Sequence, residues 1–336
     1  MRVRRVDEIG LVTGEDSLNR TGSRFGVYGT DLGILWDNGN GEVLAAFGDS
    51  YGERWGGKGA GPPDADWRCN VLCVSTATDL AGGLPLDVMA TRPDGTAAQI
   101  LDRDGGVDIE NTIIPTSGIA VAGVNYLHYM SVREWGPPGV WRTNYGGVAV
   151  SHDHGRTWSK PETARWPNQW RRIRPFRWRD NPFQLGAFAR HDRHVYLMGT
   201  PNGRHGSGSL ARVDEHSVAD VAAYEYWNGR NWVADPYRAK PVLAGPVGEL
   251  SLWHNTFCDA WLAMNLDEQR RAIVLRSAPE LTGPWSDPVV VVAGRDRPGL
   301  YGGFPHPWAA DGPEIYFTMS LWDSYDVRLM RATLAI

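Results

Sequence analysis

Short apolar runs rich in aromatic and β-branched residues recur along the chain, and Gly, Pro, Asn and Asp close each of them off. Runs at 43–47, 126–132, 195–200, 260–266 and 315–321 read as central strands, being bounded by turn residues and too short for helices. A candidate strand precedes each one, at 33–36, 118–122, 185–189, 249–253 and 304–309, the last being the least regular. A third follows each, at 70–76, 147–151, 209–213, 272–277 and 327–332. Five such units in 336 residues average about 67 residues each, the length of a four-stranded propeller blade with generous loops. The pattern predicts an all-β chain folded as a five-bladed β-propeller, a single domain over 1–336 with blades near 14–80, 108–165, 180–220, 224–293 and 299–336. The one helical hint worth naming is 214–223, an excursion between blades.

Ser151-His152-Asp153-His154-Gly155-Arg156-Thr157-Trp158 fits the pattern S-x-D-x-G-x-T-W, the Asp box of sialidase-like propellers, where it forms a turn between outer strands. Asp153 is expected to close that turn on backbone amides rather than to do chemistry. Ser277 and the later Gly283-Pro284-Trp285-Ser286 have the same character one unit further on.

Composition narrows the class. With 16 Trp, 12 Tyr and 8 Phe the chain carries a large aromatic payload, and 40 Gly with 22 Pro punctuate it too often for long helices. A net charge of −5 gives no general attraction to nucleic acid or to an anionic membrane. The local exception is the segment 171–179, with five arginines among aromatics, which either meets an anionic or carbohydrate ligand or is a solvated loop. Cys69, Cys73 and Cys258 are an odd number without metal-like spacing and read as buried thiols. The start of the chain has positive charge but no apolar stretch behind it, so no standard secretory signal is read there. No window approaches the ~18 apolar residues of a membrane span. The expected location is the cytoplasm, or the cell envelope by a non-standard export route.

Candidate chemistry concentrates in the first unit. Gly29-Thr30-Asp31-Leu32-Gly33 and Phe47-Gly48-Asp49-Ser50-Tyr51-Gly52 flank a hairpin that turns through Asp37-Asn38-Gly39-Asn40-Gly41. A hairpin folded about Asn40 would set Asp31 and Asp49 directly cross-strand with Cβ atoms ~5 Å apart, and a register shifted by two would leave them diagonal. Paired carboxylates do acid, base or nucleophilic work on glycosidic bonds, and a ~5 Å pair suits retention whereas inversion wants roughly 6.5–9.5 Å. The alternative is a pair of turn aspartates bonded to backbone amides.

Around that pair, Glu110 and Asn111 precede the first strand of unit two and are candidates for the rim of a central depression. Gln184, Glu249, Tyr301 and His306 stand near the entrances of units three, four and five, where they would bond sugar hydroxyls. Trp322 and Asp323 follow the central strand of the last unit, and a rim tryptophan would stack on a sugar ring. The acidic series Asp102, Asp104, Asp108 and Glu110 is superficially a calcium loop, but Gly105-Gly106 comes too early for an EF-hand, and no metal site is assigned.

The Asp31 and Asp49 motifs, the phrase 249–255 leading to 275–279 and 283–285, and the ending 301–308 with 327–332 together resemble the DUF4185 domain, now placed as glycoside hydrolase family 183, the endo-D-arabinanases. The resemblance runs from about Gly14 to Ile336 and is closest to mycobacterial or related actinobacterial members. It implies a five-bladed propeller that cleaves internal α-linkages of the D-arabinofuranose chains of arabinogalactan and lipoarabinomannan without a cofactor, and it maps the two essential carboxylates onto Asp31 and Asp49. Typical members carry an aromatic-rich segment after the opening of blade four, where this chain has Trp253-His254-Asn255-Thr256-Phe257-Cys258. Two other classes stay open: an exo-acting furanosidase or glycoside phosphorylase, and a lectin-like propeller that binds carbohydrate without turnover.

Overall fold

The computed structural model describes residues 1–171 and 177–336, with the backbone alone at 169–171 and 177–179. The side chains of the arginine-rich segment 171–179 therefore lie outside the described residues. Five antiparallel sheets stand as the blades of a β-propeller. Blade 1 consists of Leu32–Asp37, Val43–Phe47, Val71–Ser75 and Val88–Met89; blade 2 of Thr112–Val121, Val124–Trp135, Trp141–Ser151 and Arg165–Pro167. Blade 3 is built from Leu185–His191, His194–Thr200, Gly208–Asp214, Glu225–Trp227 and Trp232–Val233. Blade 4 is Leu250–Asn255, Ala260–Asp267, Ala272–Ala278 and Val289–Ala293.

Blade 5 closes the ring. Leu300–Pro305, Glu314–Leu321 and Asp326–Ala335 take as their outermost partner the N-terminal strand Arg2–Leu11, in a register running from Arg2 opposite Ala335 to Leu11 opposite Arg328. That strand lies ahead of residue 14, where the sequence pattern begins its first unit. Its half-exposed, charge-rich residues carry no strong apolar period, which is why the pattern passes over it.

Two further boundaries differ from the expected ones. Residues 225–227 belong to blade 3 and not blade 4, because Ala211 and Arg212 pair with Tyr226 and Glu225. Burial enforces this: Tyr224 and Tyr226 are 1 % exposed, and the Trp166 indole N–H donates to the Tyr226 hydroxyl at 2.8 Å, tying blade 3 to blade 2. The segment 214–223 makes only the 3-10 turn Val221–Ala223, capped by Asp220, while the short helix Thr21–Phe25 sits in a stretch without helical periodicity.

Interfaces between blades combine apolar packing with a few buried polar locks. Trp36 meets Trp158 edge-on at 6.4 Å, and its indole N–H donates to Asn125, whose own amide donates to Asn38. The Asp box closes its own turn at the outer side of blade 2. Asp153 accepts from the Thr157 amide, the Thr157 hydroxyl and the Ser151 hydroxyl, and these bonds outweigh desolvation to hold its carboxyl at about 2. In blade 4, Ser277 and Ser286 exchange two hydrogen bonds across the corresponding turn.

The innermost strands all start at one end of the ring, here the upper end. Asp31, Thr112, Glu249 and Tyr301 stand at or just before those starts, and the loops after the second strands rise there too.

Candidate active site

Asp31 owes its placement to a bulge. Leu32 (φ 68°) and Gly33 (φ 79°) both adopt the left-handed region, and the ladder slips between Leu32 and Ile34. The strained turn is held from blade 5: the Leu32 amide donates to Ser320 Oγ at 2.8 Å, and the Thr318 hydroxyl to the Gly33 carbonyl at 2.6 Å. Gly33 has no room for a side chain, since a Cβ there would lie 2.8 Å from Val327. Leu32 pairs with Phe47, one residue out of the register that Ile34–Ala46 to Asp37–Val43 keep, and the bridge Gly29–Tyr51 returns to that register, so Asp31 and Asp49 lie between two compensating irregularities. The hairpin folds about Asn40 as expected, and the register departs from it only at the bulge, where Leu32 meets Phe47.

Asp49 is 8 % exposed and ionisable in an ordered cradle. Its Oδ1 accepts from the Trp67 indole at 2.8 Å and from the Thr112 hydroxyl at 2.6 Å. Burial raises its carboxyl to about 6, against those two bonds and the nearby Arg103 guanidinium, which pull it down. Arg103 stacks over Trp67 at 5.0 Å and so fixes the ring that holds Asp49.

Asp31 is pushed further. Burial and then the charge of Asp49 raise its carboxyl to about 8, opposed by the Tyr301 hydroxyl, which donates to Oδ2 at 2.8 Å. Its Oδ1 is buried without a hydrogen-bond partner. Two carboxylates with separated proton affinities and different partners are the arrangement an acid and a base require.

A clamped guanidinium forms the neighbouring wall. Arg204 donates through Nε (2.9 Å) and Nη2 (2.6 Å) to Glu249 Oε1 and through Nη1 (3.1 Å) to Glu268, with its face over the Tyr301 ring at 5.3 Å. Its carboxylate partners hold Arg204 charged against the cost of burial. Glu249 adds to the field that raises Asp31.

On the blade 1 and blade 5 side, Trp322 is 50 % exposed and stands edge-on to the buried Tyr325 at 5.6 Å. Asp323 pairs with Lys58 at 3.8 Å in the adjoining loop, whose Gly59 amide donates to the Asp323 carbonyl. These residues form a rim at the same end as Asp31. Val107, Ile109, Trp135 and Val140 give blade 2 an exposed apolar rim at that end as well.

Several expected site residues do other work. Glu110 is 1 % exposed and accepts from the Asp104 amide and, at 3.4 Å, from Tyr145, closing the loop that carries it. Asn111 uses its backbone to bond Val132 and Arg103, which places Thr112 beside Asp49. Gln184 is fully buried, with its oxygen taken by Thr143 and Asn168 and its nitrogen by the Trp166 carbonyl, so it locks blade 3 to blade 2. His306 follows the end of the inner strand of blade 5, not its start, and lies at the lower end of the ring. There its neighbour Trp308 donates to Asp37, at the far end of the blade 1 inner strand. Burial holds the His306 imidazole down at about 4. The segment 253–258 also runs to the lower end, where Trp253 and Asn255 bond the Ala310 carbonyl. Asp104 is paired with Lys160 and Arg165, and among the described residues no group of three or more His, Cys, Asp and Glu side chains is arranged to hold a metal ion.

Trp67, Thr112 and Arg204 are the neighbours of the carboxyl pair that sequence reasoning passed over. Thr112 directly follows Glu110-Asn111, so a register argument on the inner strand of blade 2 would have reached it; Trp67 and Arg204 come from loops with no periodic signal.

Comparison with known proteins places the chain. A family model described as a domain of unknown function, DUF4185, matches residues 16–331. "Notoamide biosynthesis cluster protein J" of Aspergillus sp. (strain MF297-2) is 32 % identical over 333 residues, covering 93 % of this chain and 84 % of that protein. A solved structure of a hydrolase so designated from Bacteroides ovatus superposes with a TM-score of 0.64 at 12 % identity, over 93 % of this chain and 87 % of its own. A family 117 glycoside hydrolase of Zobellia galactanivorans superposes with a TM-score of 0.55 at 12 % identity, over 98 % of this chain and 91 % of its own. The two structural likenesses speak for the propeller fold, and the sequence match to residues 16–331 speaks for the lineage: the chain belongs to the DUF4185 family.

Proposed function

We propose that this protein is an endo-acting glycoside hydrolase that cleaves α-D-arabinofuranosyl linkages in the D-arabinan of arabinogalactan and lipoarabinomannan, the activity that the resemblance to glycoside hydrolase family 183 implies. The observation that carries the hydrolase reading is the Asp31 and Asp49 pair, buried at one end of the ring with proton affinities near 8 and near 6. Between those values Asp31 holds its proton while Asp49 is ionised. Asp31 is then the general acid: its proton goes to the glycosidic oxygen as the bond to the anomeric carbon breaks. Asp49 faces the positive charge that develops on the ring, as nucleophile or as base toward water, with Trp67 and Thr112 fixing its other oxygen. A propeller fold shared with a family 117 glycoside hydrolase supports the class.

The test is incubation with purified arabinogalactan and chromatographic sizing of the products. A ladder of oligosaccharides supports endo cleavage, whereas free arabinose alone means exo action. Asp31→Asn and Asp49→Asn should each abolish turnover. Tight binding of arabinan with no hydrolysis by the unmutated protein would sink the enzyme reading in favour of a carbohydrate-binding propeller.

A further inference from the structure

The Arg204 and Glu249 pair has an unusual shape. A guanidinium and a carboxylate commonly meet fork to fork, one N–H on each oxygen. Here both Nε and Nη2 of Arg204 donate to Glu249 Oε1, and Oε2 is buried with no hydrogen-bond partner. Glu268 holds the third donor of Arg204, and the rings of Tyr301 and Trp141 lie against its face at 5.3 Å and 5.8 Å, so the pair has no freedom to rearrange into the fork.

Two more buried polar atoms without partners belong to groups touching the same cluster. One is Asp31 Oδ1, on the carboxyl that Tyr301 bonds. The other is the indole N–H of Trp141, a residue only 5 % exposed. Buried polar groups are satisfied as a rule, and orphans gathered at one place mark where something else supplies the partners. Glu249 also lines an axial cavity of about 30 Å³ whose other walls include Leu32, Ile114, Leu185 and Phe304. A water there would find few polar partners among such walls.

We propose that Glu249 is a substrate-binding carboxylate, whose Oε2 accepts a hydrogen bond from a ring hydroxyl of the sugar unit next to the bond that Asp31 protonates, with Arg204 as the residue that positions it. The inference rests on the hydrolase reading above. An acceptor oxygen kept waiting in a buried wall selects for the hydroxyl and against its absence, because the deoxy ligand leaves Oε2 without a donor.

The experiment measures binding by calorimetry, using a D-arabinofuranosyl oligosaccharide and its monodeoxy analogues. The proteins are Asp31→Asn, which should bind without cleaving, and the Asp31→Asn/Glu249→Gln double variant. The second substitution is expected to weaken the parent ligand at least tenfold. One monodeoxy analogue is expected to bind the single variant at least tenfold more weakly than the parent, and to bind the double variant no more weakly than the parent does. Equal affinity of the two variants overturns the proposal, the result expected if a permanently bound water satisfies Oε2. Should the double variant fail to fold, the deoxy series on the single variant decides, and a series in which no analogue loses tenfold overturns it. No binding of the parent by Asp31→Asn overturns the arabinanase reading and this inference together, whereas binding indifferent to Glu249 overturns this inference alone.

Discussion

Gly48 leaves the space that the Asp31 carboxyl occupies: a Cβ built on Gly48 would lie 2.3 Å from Asp31 Oδ1. The Gly48 amide also donates to the Asp31 carbonyl at 3.2 Å, so the two residues are fixed to each other by backbone as well as by shape. The backbone of Gly48 is not in the left-handed region, and alanine is therefore accepted conformationally but not sterically. Gly48→Ala should displace the carboxyl by about an ångström and lower kcat roughly a hundredfold, the usual cost of such a misplacement. Thermal melting with arabinan turnover checks this, and an alanine variant with unaltered kcat would show that Asp31 Oδ1 is not needed where it stands.

The proton affinities of the pair define a working range. With Asp49 ionised above about 6 and Asp31 protonated below about 8, kcat/KM against pH should be bell-shaped with limbs near those values. The limbs belong to the coupled pair. Asp31→Asn should remove activity without leaving an alkaline limb to measure, so the assignment is read from hydrogen-bond variants instead.

Tyr301→Phe and Thr112→Val separate the two limbs. Tyr301 donates to Asp31 and Thr112 donates to Asp49, and each bond favours the ionised form of its partner. Losing the Tyr301 hydroxyl should move the alkaline limb upward by about one unit, and losing the Thr112 hydroxyl should move the acid limb upward by a similar amount, since a charge-assisted bond is worth about 1.5–3 kcal/mol. The first change widens the range and the second narrows it. A pH-rate profile of each variant checks the direction, and a shift of the same limb in both would refute the assignment of the acid to Asp31.

The ring and its carboxylate pair are legible in the sequence to different depths. Strand triplets show because each blade repeats apolar runs between turns, and the Asp box shows because its turn needs Ser151, Asp153, Gly155 and Thr157 at fixed spacing. The partners of the pair come from far along the chain: Tyr301 is 270 positions from Asp31, and Thr112 is 63 from Asp49. No local pattern encodes such contacts; the closure of the ring makes them. His306 illustrates the converse. It looks like Tyr301 in sequence, five positions on, yet a strand rises about 3.3 Å per residue and carries it to the other end of the ring. The bulge at Leu32 and Gly33 is likewise set by Ser320, Thr318 and Val327 of blade 5, which a hairpin reading of blade 1 alone does not contain.

The Asp31 and Asp49 carboxyls should weaken the fold as pH rises. Asp31 has a folded-state value near 8 against 3.8 for the ordinary group, and Asp49 near 6, so the folded chain holds more protons than the unfolded one between those limits. Stability from these groups is fully present below about pH 4. It falls as pH rises through the folded values, from about 4 to 6 for Asp49 and from about 4 to 8 for Asp31. Asn at position 31 cannot ionise and escapes that loss. Asp31→Asn should melt with the unmutated protein at pH 4 and above it at pH 8, the gap being on the order of a few kcal/mol and opening progressively between. Melting temperatures of the two proteins across that range check the sign: a gap that closes as pH rises would mean that the Asp31 carboxyl is stabilised as an anion, and would remove it as the proton donor.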